Sequence, residues 1–199
     1  MIVPRESVIL PTYASIEITA PAAFVWAVLV NTGRYPEWNS FCPKVTMRSQ
    51  PEGTESTDPN LHIGTSFIFH VVMDSNKPTS YTDTQLRVLD ISTPQHPSSY
   101  IPQTTLDSEP TFQSDLSKLY RICWTTEGGF VSKGLKSERY HEIKVLGDEL
   151  CSVRTWECQG GSLARAVKWF YKDTLKQKFA DWCEDLKRES EKKFQESKQ

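Results

Sequence analysis

Three polar side chains near the end of the chain have the types and spacing that acid–base chemistry requires. Residues 137–146 and 150–159 are predicted to be neighbouring strands, and alternate side chains of a strand point to the same side. This alternation places Arg139 and His141 on one face of the first strand and Glu157 on the matching face of the second. A histidine can move a proton near neutral pH, an arginine can hold an enolate or a carboxylate, and burial can raise the pKa of a glutamate. We therefore predict that the three residues form a catalytic set.

A structural interpretation of the same residues stays open at this point. The opposite face of the last predicted strand carries Trp156 and Cys158, which could be the buried set instead. A slip of one residue in register would move every side chain to the other face. A buried pair such as Arg139 and Glu157 is also often structural.

Large apolar side chains are predicted to surround the polar set. In the predicted strands 62–73 and 119–126, alternate aromatic and aliphatic residues share one face, which we expect to point towards the same side of the sheet. A long apolar helix would close that side. The predicted ligand-binding residues are Phe67, Phe69, Tyr120, Ile122, Trp124, Thr155 and Phe170.

The helix that must cover these strands is predicted at the end of the chain. After Gly160 and Gly161, no proline or glycine follows, and apolar residues recur with a period near 3.6 as far as Leu186. Ser162 fits the N-cap position. A helix from Ser162 to Leu186 would be about 37 Å long, which is the span of a small domain. Residues 187–199 are mostly charged and are expected to be the C-terminal tail of this helix, whose last turns project into solvent or fray.

The rest of the chain predicts a sheet, one short helix, and a short helical turn within residues 34–43 that leads into a strand. Pro21 fits the first turn of a helix that ends near Asn31. Seven strands are predicted, at 14–19, 44–48, 62–73, 81–91, 119–126, 137–146 and 150–159. A meander of antiparallel strands exposes one apolar face, and only the terminal helix is long enough to cover it. The expected fold is α+β, with a curved sheet wrapped around the helix and an apolar cavity between the two layers.

One domain is predicted for residues 14–186, preceded by an arm at 1–13. The segment 92–117 contains four prolines and many serines and threonines, and a structureless loop of this length is unusual inside a domain. Two interpretations are open for it: a lid over the cavity, or a disordered insertion.

Composition excludes several classes of function. The formal net charge is −2, so there is no electrostatic case for a nucleic-acid partner. The longest apolar run, 20–30, contains a proline and is about half the length of a membrane span, so no transmembrane segment is predicted. The five cysteines are odd in number and lack a CxxC spacing, which favours reduced thiols in the cytoplasm. We predict no metal site and no cofactor, because no ligand spacing is present.

The order of elements and several short motifs resemble the START-like superfamily, also called SRPBCC or helix-grip, which includes polyketide cyclases and coenzyme Q-binding START proteins. The likeness covers about residues 14–186. It is carried by 16–26 (IEITAPAAFVW), 35–43 (YPEWNSFCP), 63–65 (IGT), Trp124, and Glu157 with Gly161. The insertion at 92–117 and the loop at 49–60 depart from the family pattern. The resemblance implies a deep apolar cavity between the sheet and the C-terminal helix, in carriers, sensors and enzymes alike.

Two functions fit these observations, and both involve a hydrophobic small molecule of polyketide, aromatic or lipid type. In the first, the protein is an enzyme of secondary metabolism, of the polyketide cyclase or dehydratase kind, which orients a reactive intermediate and moves protons. In the second, it is a non-catalytic lipid or quinone carrier. The long insertion favours the enzyme, since a lid would exclude water. An interaction module that stimulates a chaperone is a third and weaker possibility.

Overall fold

The computed structural model describes residues 7–128 and 131–199. Residues 1–6 of the predicted arm and a predicted turn at Gly129 lie outside the described residues. The helices are α1 (Ala22–Val30), α2 (Tyr35–Trp38), α3 (Gln103–Ser108), α4 (Val131–Gly134) and α5 (Ala164–Glu196). The strands are β1 (Leu10–Ile18), β2 (Lys44–Ser49), β3 (Ser66–Val71), β4 (Thr82–Ser92), β5 (Leu119–Thr126), β6 (Lys136–Gly147) and β7 (Leu150–Gly160).

The strands form one antiparallel sheet in the order β1-β7-β6-β5-β4-β3-β2. Strands β2 to β7 are therefore a continuous meander, and β1 pairs with β7 at the other edge. We call the face that packs against α5 the concave face and the opposite one the convex face. The predicted α+β class, with a curved sheet around a long terminal helix, is confirmed.

Two predicted strands begin four residues away from their start in the structure, whereas every other predicted strand boundary agrees within two residues. Strand β1 begins at Leu10 instead of residue 14, because Leu10 and Thr12 already alternate as buried residues along the pairing with β7. Strand β3 begins at Ser66 instead of residue 62, because the preceding residues turn at Gly64, whose φ of 91° is left-handed and suits glycine.

Helix α5 crosses the concave face and is held by aromatic contacts. Its buried residues Leu175, Phe179, Trp182 and Leu186 recur at steps of three and four, as the sequence pattern predicts. The Trp182 ring centroid lies 5.5 Å from that of Tyr35 in α2. These contacts fix the middle of α5 above the sheet.

The two ends of α5 differ from expectation. The helix begins at Ala164 after Leu163, and Ser162 makes no capping hydrogen bond. At the other end the helix continues to Glu196, as the predicted tail of the helix, but it packs on the domain instead of projecting into solvent, since Ser190 is fully buried. The Phe194 ring lies 5.5 Å from that of Phe24 in α1, so packing against α1 keeps this end on the domain.

The insertion 92–117 packs on the convex face. It contains α3 and a short 3₁₀ turn, and its Ile101 and Leu106 are buried in a second apolar cluster with Tyr140 and Trp156. This placement matches neither of the two open interpretations, a lid over the cavity or a disordered insertion. The apolar residues of the insertion find their partners on the convex side of β5, β6 and β7, and none of the insertion's described residues lines the cavity on the concave side.

Candidate active site

A cavity of about 130 Å³ lies between the concave face and α5. Its wall is mainly apolar and aromatic, with one arginine and one glutamate among a few smaller polar side chains. The lining residues are Phe41, Cys42, Phe69, Val71, Met73, Thr82, Thr84, Leu86, Trp124, Thr126, Leu135, Ser137, Arg139, Glu157, Gln159 and Leu175.

Strand register brings the two charged residues together. Trp124 of β5 pairs with Arg139 of β6, which in turn pairs with Glu157 of β7. Alternation along each strand turns all three side chains to the concave face, as the sequence pattern predicts. Paired residues in adjacent strands lie within about 4.5–5.5 Å of each other, so one transverse row of the sheet supplies an aromatic ring, a cation and a carboxylate.

Arg139 is the buried cation of this row, with 6% of its surface exposed. Its guanidinium carbon lies 3.9 Å from the ring centroid of Phe179 and 4.6 Å from that of Trp182. Its Nε donates to Thr155 Oγ1 at 3.4 Å, whereas Nη2 has no hydrogen-bond partner among the described residues. Burial lowers the pKa of Arg139, and the charge of Glu157 opposes this effect. Arginine stays protonated at such a site, so a buried cation keeps one donor group free.

Glu157 is the carboxylate of the cavity wall. It is half-buried, and Gln159 Nε2 donates to its Oε1 at 3.0 Å. The hydrogen bond orients this oxygen, whereas Oε2 has no hydrogen-bond donor among the described residues. A carboxylate held in this way beside an apolar cavity can take a proton from a bound molecule and return it.

His141 lies behind the cavity wall. It is fully buried, and its ring centroid is 4.5 Å from that of Trp124 and 5.2 Å from that of Trp182. Neither ring nitrogen has a hydrogen-bond partner among the described residues. Burial, together with the charge of Arg139, holds the pKa of His141 well below its usual range, so the imidazole is neutral at physiological pH. It does not line the described cavity.

The predicted ligand-binding residues separate into three groups. Phe69 and Trp124 line the cavity. Phe67, Tyr120, Ile122 and Thr155 face the concave side but are buried in the core beside it. Phe170 lies on the surface, with 72% of its area exposed, because the start of α5 projects beyond the sheet.

Several other residues that line the cavity were not among the ligand-binding residues predicted from the sequence. Alternation in β4 places Thr82, Thr84 and Leu86 on the concave side, and that pattern could have identified them. Cys42 comes from the loop after α2, where no periodic signal exists. Burial raises the pKa of the Cys42 thiol to about 12, so it stays protonated and is a poor nucleophile.

Comparison with known proteins agrees with this architecture. A family model described as polyketide cyclase / dehydrase and lipid transport matches residues 18–97. The "Oxopyrrolidines biosynthesis cluster protein O" of Penicillium oxalicum is 30% identical over 178 residues, which cover 84% of this chain and 80% of that protein.

Solved structures with low sequence identity share the fold. A hypothetical protein from Helicobacter pylori has a TM-score of 0.66 at 13% identity, over 95% of this chain and 92% of that one. The Zhui aromatase/cyclase from Streptomyces sp. R1128 has a TM-score of 0.62 at 10% identity, over 92% and 94% of the two chains.

The sheet, the terminal helix and the cavity between them define a helix-grip protein. The chain belongs to the START-like superfamily, in the family of polyketide cyclases, dehydrases and lipid transport proteins. The resemblance seen in the sequence is therefore confirmed. Within residues 7–128 and 131–199, none of the helices has the length and apolar character that a membrane span needs.

Proposed function

We propose that the protein binds a hydrophobic small molecule of polyketide, aromatic or lipid type in the concave cavity and catalyses its cyclisation or dehydration. The buried Arg139 lines the mainly apolar cavity beside Glu157, and its Nη2 has no hydrogen-bond partner among the described residues; this observation carries the proposal. A buried charged donor without a partner lowers the stability of the folded protein. Such groups are typical of functional sites, where a bound ligand can supply the missing partner. The family and the relative from a biosynthesis cluster support an enzyme of secondary metabolism.

In this proposal Glu157 is the base and Arg139 holds the oxyanion. The Glu157 carboxylate takes a proton from the carbon next to a ketone, and the enolate oxygen that forms accepts a hydrogen bond from Arg139 Nη2. The enolate carbon then bonds to a second carbonyl carbon of the same molecule, and protonated Glu157 returns its proton to the new alkoxide. The ring closure is an isomerisation, and a later loss of the hydroxyl with a neighbouring proton releases water. His141 takes no direct part, because it lies behind the wall.

The size of the cavity limits what it can enclose. Ligand pockets commonly measure roughly 300–1,000 Å³, whereas this cavity measures about 130 Å³. We therefore propose that the reacting part of the substrate enters the cavity while the remainder extends across its rim. The apolar wall orients that part, and orientation alone can contribute roughly 7 kcal/mol or more in favourable cases.

A cytoplasmic location belongs to the same proposal. All five cysteines are free thiols and four of them are buried, which is the arrangement expected in a reducing compartment.

The test compares wild type with Glu157→Gln and Arg139→Met on a soluble poly-β-ketone, with ring closure followed by absorbance and mass spectrometry. Each variant is expected to lose about 100-fold or more in rate, since positioned acid–base groups contribute at least this much. Glu17→Gln on the exposed side of β1 is the matched control and should keep full activity. Wild-type activity in both cavity variants would overturn the assigned roles.

A non-catalytic carrier is the second candidate, and the mainly apolar wall of the cavity favours it. Native mass spectrometry of the purified protein, followed by extraction, distinguishes the two candidates. A lipid or quinone bound at near-equal stoichiometry, retained equally by Glu157→Gln, would favour the carrier. Protein without such a molecule, together with turnover that depends on Glu157, would favour the enzyme.

A further inference from the structure

One turn of α5 exposes three aromatic side chains in succession. Trp169, Phe170 and Tyr171 have 85%, 72% and 46% of their surfaces exposed. Consecutive residues of a helix are separated by about 100°, so the three rings point to different sides. All of residues 168–173, which we call the aromatic turn, are exposed. This turn therefore projects from the domain instead of resting on it.

The aromatic turn lies between two points of contact with the cavity region. Before it, Leu163 lies against Gly134, next to the cavity-lining Leu135. After it, Leu175 is part of the cavity wall, one helical turn beyond Tyr171. The aromatic turn therefore lies between two segments that border the cavity, and we take this side as the rim of the cavity.

Positive charge surrounds the three rings. Residues 164–176 contain the four exposed cations Arg165, Lys168, Lys172 and Lys176 and a single acidic residue, Asp173. This segment therefore carries a surplus of three positive charges in a chain whose formal net charge is −2. The other large exposed apolar residues away from α5, such as Tyr13 and Ile63, are scattered on separate elements.

We propose that the aromatic turn docks the protein on an anionic lipid surface. Tryptophan and tyrosine prefer the boundary between headgroups and acyl chains, and nearby lysines and arginines are attracted to anionic headgroups. A lipid surface into which the turn inserts buries the rings on several sides of the helix at once, whereas a flat protein partner or a second copy of the chain would bury the rings on one side only. Docking here brings the rim of the cavity to the membrane. The proposal does not depend on whether the cavity catalyses a reaction.

Vesicle binding tests this inference with the intact protein. Sedimentation is measured with vesicles of phosphatidylcholine alone and with vesicles that also contain phosphatidylserine. Wild type is expected to bind the anionic vesicles and to lose binding at high salt. Both Trp169→Ser/Phe170→Ser and Lys168→Glu/Lys172→Glu should weaken that binding about tenfold or more. The matched controls, Tyr13→Ser/Ile63→Ser and Lys192→Glu, change exposed residues elsewhere and should bind like wild type.

Tryptophan fluorescence gives a second, local readout. Of the six tryptophans, Trp169 is the exposed one, because the other five are buried or partly buried. Anionic vesicles should shift the wild-type emission to the blue, and Trp169→Phe should abolish the shift while retaining sedimentation. Circular dichroism confirms that each variant is folded.

Three results would overturn the proposal. They are wild type that does not bind anionic vesicles at low salt, aromatic variants that bind as well as wild type, and aromatic substitutions that abolish a dimer in sedimentation velocity without changing vesicle binding. The last result would assign the aromatic turn to a second copy of the chain. Turnover of the soluble substrate, measured without vesicles, tests the cavity separately.

Discussion

The two faces of the sheet bury charged residues in different ways. On the convex face, Glu142 is 1% exposed and accepts hydrogen bonds from Arg121, at 3.2 Å, and from Arg154. On the concave face, Arg139 has a free Nη2 and His141 has no hydrogen-bond partner for either nitrogen among the described residues. Paired buried charges stabilise a structure or cost little, whereas unpaired ones are tolerated mainly where function needs them. We propose that the buried charges of the convex face are structural and that those of the concave face serve chemistry.

The insertion adds hydrogen bonds to the buried carboxylates of the convex face. Tyr100 donates to Glu138 at 2.9 Å, and the backbone N–H of Gln113 donates to Glu142 at 3.4 Å. Pairing is incomplete at Arg121, where Nε and Nη2 have no described partner, but its charge is matched by Glu142. Segment 92–117 therefore covers one face of the sheet and donates hydrogen bonds to its carboxylates, and the other face keeps its cavity.

The largest effect on stability is expected from Glu142→Gln. The substitution leaves the fully buried Arg121 without a carboxylate, and breaking a buried ion pair in this way costs about 3–5 kcal/mol. Urea denaturation followed by circular dichroism measures the loss. The side chain keeps its size, so the loss would come from charge and hydrogen bonding alone.

The matched control is the same substitution on the other face. Glu157→Gln should change the free energy of unfolding by less than about 1 kcal/mol, because this half-buried carboxylate forms no ion pair within 4.0 Å among the described residues. Equal losses in the two variants would show that both glutamates are structural, and the contrast between the faces would fail.

A smaller loss is expected when the packing of the insertion is weakened. Ile101 is 1% exposed within the convex cluster, so Ile101→Ala should cost about 2–4 kcal/mol in the free energy of unfolding. Limited proteolysis should then cut the insertion sooner than in wild type. Ligand binding should stay unchanged, since the insertion does not line the described cavity.

Thr104→Ala is the control for this experiment, because Thr104 is exposed in the same insertion. It should leave both stability and proteolysis near wild type. If Ile101→Ala weakened ligand binding more than stability, the insertion would act on the cavity after all, and the lid interpretation would return.

Much of the concave face was predictable because it follows from local alternation. Period-two patterns in β5, β6 and β7 are strong enough to fix which side chains share a face, and register then aligns Trp124, Arg139 and Glu157 in one row. Alternation predicts which face of the sheet a side chain lies on, but not whether that position along the strand is next to the cavity. His141 has the same parity as Arg139, yet it lies two residue pairs further along the strand and does not line the cavity.

The features that the sequence pattern did not predict depend on packing between elements that are distant in the chain. Trp156 is buried on the convex face although its parity opposes that of Glu157, because the insertion covers it, and no pattern in 92–117 shows where that segment packs. Phe170 fits the apolar period of α5, but the helix begins before it meets the sheet, so the ring stays exposed. For both Trp156 and Phe170, burial depends on whether an element distant in the sequence packs against the side chain.

The smallest effect is expected from His141→Leu, and it concerns the concave face itself. Removing a buried imidazole without hydrogen bonds should leave stability unchanged at pH 7.5 or raise it by about 1 kcal/mol. The native pKa of His141 is lowered by burial, so below the unfolded pKa of about 6.5 the unfolded chain takes up a proton that the native protein cannot. Wild type therefore loses stability as the pH falls from about 6.5, and the part due to this residue reaches about 1.4 kcal/mol at pH 5.5.

Urea denaturation at pH 7.5 and pH 5.5 measures this dependence. His141→Leu should lose less stability than wild type between the two values, while the exposed His96→Leu should behave like wild type. An unchanged pH dependence in His141→Leu would mean that the imidazole is already charged or hydrogen-bonded in the native protein. Turnover of His141→Leu tests whether this residue takes part in catalysis. Full activity would support Glu157 as the base. A loss as large as that of Glu157→Gln would show that His141 also belongs to the catalytic set.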